Sequence, residues 1–200
     1  DYAPIQLLIP PQKKQMYVVG TEIKFKANII SSVELAMSDY DKNTFSGLHS
    51  DDDNGIGVKW KWKSDTKVGE NWHMKTNANF ELQGNNFQPI QWFRSVEFDR
   101  DWNVRNLPFT GHQYLSNVGL KFVGKGSGGI GYDFENFVWG TDYVGYKNNL
   151  EVNLKKSGFA YSANASWLLS DGLEKTSFLR HNMSVSQNTR FIKFGLEDIH

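Results

Sequence analysis

Phe159-Ala160-Tyr161-Ser162-Ala163-Asn164-Ala165-Ser166-Trp167-Leu168-Leu169 decides the fold. Phe159, Tyr161, Ala163, Ala165, Trp167 and Leu169 are apolar, and Ser162, Asn164 and Ser166 alternate with them. A period of two belongs to an extended strand with one apolar and one polar face. Aromatic residues stand at the ends of the apolar face and alanines in its middle. From Phe159 to Trp167 the strand runs about 26 Å at ~3.3 Å per residue, close to the ~25 Å apolar band of a membrane β-barrel.

The same alternation recurs on both sides of this stretch. Upstream, Tyr17, Val19, Ile23 and Phe25 show it, as do Val33, Leu35 and Met37, then Ile56, Val58, Trp60 and Trp62, then Trp72, Met74, Ala78, Phe80 and Leu82. Further on come Tyr114 to Val123, Ile130 to Phe134, Leu150 to Leu154, Leu179 to Val185 and Ile192 to Leu196. The segment from Pro89 to Trp102 reads as a further strand with a bulge. Asn103 to Gln113, with Pro108 and Gly111, reads as loop, and Gly140 to Asn149 as a loop or strand extension. This makes about eleven strands and no helix. Residues 1–15, interrupted by Pro4, Pro10 and Pro11, lead into one β domain over residues 16–200. The fold class is all-β, an antiparallel up-and-down meander.

Two architectures carry such a pattern: a transmembrane β-barrel, or a portion of one, and a soluble β-sandwich. Strands of ten or more residues favour the barrel, since a bilayer needs about 9–11 and soluble sheets average about 5–6. Connection lengths favour it too. Short links at Asn28–Ile30, Lys156–Gly158 and Ser186–Asn188 are interleaved with longer polar ones at Ser46–Asn54 and Ser170–Lys175. On the barrel reading Trp60, Trp62, Trp72, Trp139, Phe159, Tyr161 and Trp167 form an aromatic girdle. Glu22, Lys24, Lys26, Lys59, Lys61, Lys63, Lys75, Glu81, Asp133, Glu135, Glu151, Lys155, Arg180 and Lys193 face the lumen. Strong ion selectivity is not expected from them.

Composition excludes other classes. With 22 Lys+Arg against 22 Asp+Glu, the chain lacks the positive excess of a phosphate-neutralising nucleic-acid binder. Its 7 Trp, 8 Tyr and 14 Phe are too many for an intrinsically disordered chain. The absence of Cys removes disulfides, zinc thiolates and thiol nucleophiles. No stretch reaches the ~20 apolar residues of a spanning helix, a criterion that leaves strands untouched.

With Phe159–Leu169 and Gly128-Gly129-Ile130-Gly131-Tyr132-Asp133-Phe134-Glu135-Asn136-Phe137 as its carriers, the chain resembles the outer-membrane β-barrel proteins of Gram-negative bacteria from about residue 16 to 196. The resemblance implies a bacterial outer-membrane location and a lipid bilayer as partner, with other outer-membrane proteins as further candidates. It also implies a non-enzymatic role as a pore or transport component or a structural subunit. Barrels of this kind commonly end in an aromatic-terminated strand and have an even strand number. The terminal Asp198-Ile199-His200 and the odd count point to part of a longer barrel. The alternative function, from the sandwich reading, is carbohydrate binding through exposed Trp and Tyr.

Motifs with chemical potential are few. Asp39, Asp41 and Asn43 have the first spacings of a calcium loop, but Thr44 replaces the required Gly and Ser50 the distal Glu, so no calcium site is expected. Asp51, Asp52 and Asp53 precede Asn54-Gly55 and read as a solvated loop tip. No cofactor is expected. Glu97, Asp99 and Asp101 share a face if extended, with successive Cα atoms about 6.6 Å apart, which glycosidase chemistry permits. Trp92 and Trp102 beside them suit sugar stacking or an interfacial anchor. The five His are scattered, and His181 and Ser184 fall on opposite strand faces. Gly124–Gly129 reads as a turn, because no helix follows it to hold an anion.

Overall fold

Ten antiparallel strands follow one another in a single sheet in the computed structural model, which describes residues 10–26, 28–47, 50, 52–91, 93–188 and 193–199. They are β1 (Lys13–Lys26), β2 (Ile29–Asp41), β3 (Asn54–Val68), β4 (Trp72–Gln83), β5 (Gln113–Gly124), β6 (Gly128–Trp139), β7 (Tyr143–Lys156), β8 (Phe159–Asp171), β9 (Lys175–Asn188) and β10 (Lys193–Ile199). Each strand pairs with its sequence neighbours, and β1 and β10 form the two edges without touching one another. The all-β up-and-down meander is therefore observed. The described strands form neither a closed barrel nor two packed sheets.

The strand count is ten rather than eleven because Pro89–Trp102 is not a strand. Gln83 pairs directly with Gln113, so β4 and β5 are neighbours and residues 84–112 have no slot in the ladder. Pro89 and Pro108 would in any case withhold donors from one. A single helical turn, α1 (Phe98–Asp101), forms instead, closed by Trp102 N–H donating to the Phe98 carbonyl at 3.1 Å. The expectation of no helix fails at this point. The lead-in boundary also moves, since β1 already begins at Lys13, and of the two readings of residues 140–149 the strand extension holds, Tyr143–Asn149 belonging to β7.

Short links gather at one edge of the sheet. Ser157 and Gly158 both have positive φ (47° and 81°), the pairing that a two-residue hairpin needs to match strand twist. The long links, 42–53 and 84–112, lie at the opposite edge together with two three-residue turns.

Directly paired residues share a face of a sheet, so each face can be followed across all strands. One register line runs Leu35, Val58, Leu82, Tyr114, Val138, Val144, Asp171, Lys175. Leu35 lies six residues from the end of β2, whereas Lys175 is the first residue of β9. The opposite edge behaves alike: the line from Ile29, first in β2, reaches His181, seven residues before the end of β9. Six to seven residues over seven strand intervals, at ~3.4 Å per residue and ~4.8 Å per interval, inclines the strands by about 31–35° from the perpendicular to the sheet edge. Barrel walls need about 35–45°.

The core lies on one face only. Phe98, Trp102, Val104 and Phe109 of the 84–112 segment are buried against Phe137, Tyr143 and Leu168 of β6, β7 and β8. Phe98 meets Phe137 edge-on at 5.1 Å, and the Tyr143 hydroxyl donates to the Trp102 carbonyl. Gly145 creates the space: a Cβ there would come 2.6 Å from Tyr143 Oη and 3.0 Å from the Trp102 ring. The accessible surface is 14430 Å², against about 9,600 Å² for a compact chain of this mass. Among the described residues nothing packs over the other face of the sheet.

Trp102 is only 2% exposed, so Trp102→Ala should cost about 3–5 kcal/mol. Limited proteolysis should then cut within residues 84–112 well before it cuts the sheet.

Candidate functional site: the covered polar face

The two faces differ completely in chemistry. On the uncovered face Tyr17, Val19, Leu35, Met37, Ile56, Trp72, Val118, Ile130, Tyr132, Leu150, Trp167 and Leu179 are all exposed. Trp60, Trp62, Trp72, Phe159, Tyr161 and Trp167 belong to this face. The indole N–H groups of Trp60 and Trp167 donate to Ser31 (3.1 Å) and Ser177 (3.0 Å). Trp139 does not belong with them. It pairs with Gln113 and Tyr143 on the opposite face and packs edge-on to Phe109 at 5.8 Å. Its place in the aromatic set is thus overturned, because alternation from Phe137 turns it toward the inserted segment.

The opposite face, here called the inner face, carries the charges. Glu22, Lys24, Lys59, Lys61, Lys63, Lys75, Glu81, Asp133, Glu135, Glu151, Lys155 and Arg180 fall on it by register. Lys26 stands opposite Ile29, beyond a bulge that interrupts the alternation after Lys24. Lys193 pairs with Asn188. Cross-strand pairs tie this face together: Lys59–Glu81 at 3.5 Å, Lys121–Glu151 at 2.6 Å and Lys147–Glu135 at 3.5 Å. Asn77 donates to Asn117 at 2.6 Å and reaches Asp133 at 3.3 Å over Gly119, which has no side chain to block the path. Asn149 donates to Glu135 at 2.7 Å.

Arg94 holds the inserted segment to this face. Its Nε and Nη2 donate to Glu81 Oε1 at 3.0 and 2.8 Å, and its Nη1 donates to Gln113. The guanidinium lies 4.4 Å from the Phe98 ring centre and 5.5 Å from those of Phe93 and Phe137. The Arg94 and Glu81 side chains are only 8% and 12% exposed. A charge-assisted pair at this depth, stacked between aromatics, is far stronger than a surface ion pair. Further along, Gln88 N–H donates to Ser38 Oγ on β2 at 3.0 Å, and Arg180 on β9 reaches Asp101 at 3.2 Å. The segment therefore spans the inner face from β2 to β9. Between it and β1–β4 lies a cavity of about 580 Å³, bounded by Val18, Ala36, Leu82, Ile90 and Phe93, with Lys59 and Glu81 in its wall.

The carboxylates read as a shared strand face do not form one. Glu97 caps α1 and pairs with Arg100 at 2.7 Å, while Asp101 is taken by Arg100 and Arg180. Asp99 lies on the helical turn between them. Trp102 is buried, which removes it as a sugar platform or interfacial anchor, and Trp92 lies outside the described residues. In the acidic link, Asp39 pairs with Lys13 at 3.3 Å and Asp52 with Lys42 at 3.5 Å. Asp41 accepts from Asn43 N–H at 2.8 Å, and Asn43 in turn accepts from Phe45 N–H. Loss of hydration first, and then Asp41, Asp52 and Asp39, push the Asp53 carboxyl above its ordinary value. Asp51 lies outside the described residues. Among the described residues no three His, Asp or Glu side chains converge as a metal-holding group.

Arg94, Lys147, Gln113 and Tyr143 carry the site and were not singled out from sequence. The signal for Tyr143 and Lys147 was their odd-numbered place in the stretch before Leu150, which continues the alternation of β7. Arg94 offered no such periodic signal.

Arg94→Met leaves the buried Glu81 with Lys59 at 3.5 Å as its remaining cation and without the two guanidinium hydrogen bonds, so it should destabilise the fold by about 3–5 kcal/mol. Arg94→Met with Glu81→Leu should cost much less than the two single changes together, as a double-mutant cycle in denaturant would read.

No protein-family model matches the chain, and neither a curated protein nor a solved structure matches it. The reading of this face rests on its geometry and charge.

Proposed function

We propose that this chain is a wall of a membrane-embedded β-barrel that works as a pore or transport component of a bacterial outer membrane, with residues 84–112 as an inward constriction. The observation that carries the reading is an exposed face that is mainly apolar from β1 to β9, with Asn148 and the His181–Asp198 pair among its polar exceptions, while the buried aromatics among the described residues lie on the other side. Water penalises such a surface at roughly 25 cal/mol per Å², and lipid removes that penalty. The strand inclination, the strand lengths of 12 to 15 residues in β1–β9 and the short links at one edge support the same reading. So do indole N–H groups satisfied within the sheet, since no water would serve them in lipid.

Function on this reading is structural and electrostatic. The wall keeps backbone groups paired, the apolar face meets acyl chains, and the polar face lines an aqueous path that the Arg94-anchored segment narrows. Both β1 and β10 present free ladder edges in the described sheet, so closure requires pairing partners for both.

The experiment is extraction. The protein should sediment with membranes, resist alkaline carbonate, require detergent, and migrate differently on gels before and after boiling. A monodisperse, detergent-free protein in the soluble fraction would overturn the reading.

A further inference from the structure

Positive charge on the inner face is in excess, and most of the excess gathers on β1–β4. On β1–β4 seven lysines point inward (Lys14, Lys24, Lys59, Lys61, Lys63, Lys67, Lys75) against four carboxylates (Glu22, Glu34, Asp65, Glu81). Three of those carboxylates are occupied, with Lys24–Glu22 at 3.5 Å, Lys59–Glu81 at 3.5 Å and Lys75–Asp65 at 3.6 Å. Glu81 also carries Arg94, and Asp65 also carries His73 at 2.7 Å. Among the described residues Lys61 and Lys63 make no ion pair.

Their neighbours leave them uncompensated. Lys61 stands between Ser32 and Asn79, and Lys63 between Ile30 and Asn77. Glu34 stands opposite Lys59, one row away from Lys61. The acid in the row of Lys63 is Asp133, whose backbone lies three strand intervals off. Its carboxylate leans over Gly119 and is met by the Asn77 and Asn117 amides, and Glu135 is met by Lys147 and Asn149. Among the described residues the carboxylates of β6 are thus engaged by amides and by Lys147, and neither pairs with a lysine of β3. Successive inward positions of β3 lie about 6.8 Å apart, so Lys59, Lys61, Lys63 and, past Asp65, Lys67 make a ladder from the constriction toward the short-link edge.

We propose that Lys61 and Lys63 make the conduit anion-selective: the lysine ladder of β3 is the track along which small anions pass the constriction. This rests on the pore reading above and adds the substrate class. Rows of Lys or Arg are the general means by which pores favour anions, because a flexible ammonium can hand an anion on without trapping it.

The test uses the full chain inserted into planar phosphatidylcholine bilayers under a KCl gradient. The wild type should show a reversal potential of the sign set by chloride, with a chloride-over-potassium permeability ratio above one. Lys61→Glu with Lys63→Glu should bring the ratio below one, and Lys61→Gln with Lys63→Gln should place it between. Heat-modifiable migration checks that each variant folds, and neither residue takes part in the Arg94 anchor. Channels that prefer potassium in the wild type, or folded variants with an unchanged reversal potential, would overturn the anion track and leave the pore intact. Membrane-inserted protein that passes no current would overturn the pore itself.

Discussion

The buried pair between Arg94 and Glu81 is the contact on which the arrangement depends. Glu81 belongs to β4 and Arg94 to a segment with no ladder of its own, so the pair fixes that segment between its ends at Gln83 and Gln113, with Gln88–Ser38 and Asp101–Arg180 holding it to either side. Desolvating both charges is expensive, and the geometry recovers the cost through two hydrogen bonds to one carboxylate oxygen, a third to Gln113, and the Phe98 and Phe137 rings packed against the guanidinium. Once Arg94 is placed, Phe98 and Trp102 reach Phe137 and Tyr143, and the only buried aromatic cluster among the described residues forms.

That cluster makes the sheet unusual in its hydrophobic logic. A water-soluble sheet buries its apolar face and solvates its polar one. Here the polar face is the covered one, and an aromatic patch within it receives the inserted segment while the apolar face stays bare. The glycines of the inner face make this possible. Gly145 admits Trp102, and Gly57, where a Cβ would lie 3.0 Å from the Phe87 ring, admits Phe87. Charges on the same face are then sorted by strand: acids of β6 and β7 find Lys or Asn partners, while β3 keeps lysines in excess.

Much of the sheet was legible in the order of residues. Strands such as Phe159–Asp171 announce themselves because a pleated backbone sends alternate side chains to opposite faces, and polarity records the sides. Misreadings came where that rule stops. Val96, Phe98 and Trp102 look like one apolar strand face, yet Phe98 and Trp102 sit one helical turn apart, because i and i+4 are equivalent to a helix as well as to a strand. Trp139 was grouped with other tryptophans by residue type, although its parity with Phe137 places it inside. The three carboxylates at 97, 99 and 101 were an artefact of the same extended reading.

By itself the sequence determined that the chain forms a long-stranded antiparallel meander, and it determined which residues share a face, because both follow from local alternation. Only the tertiary structure decided which face is covered, since covering depends on residues 84–112 folding back over strands far away in sequence. It also decided that Arg94 is the anchor and that Lys61 and Lys63 are uncompensated. Ion pairing across a sheet is set by register and distance between strands, and a linear order of charges contains neither.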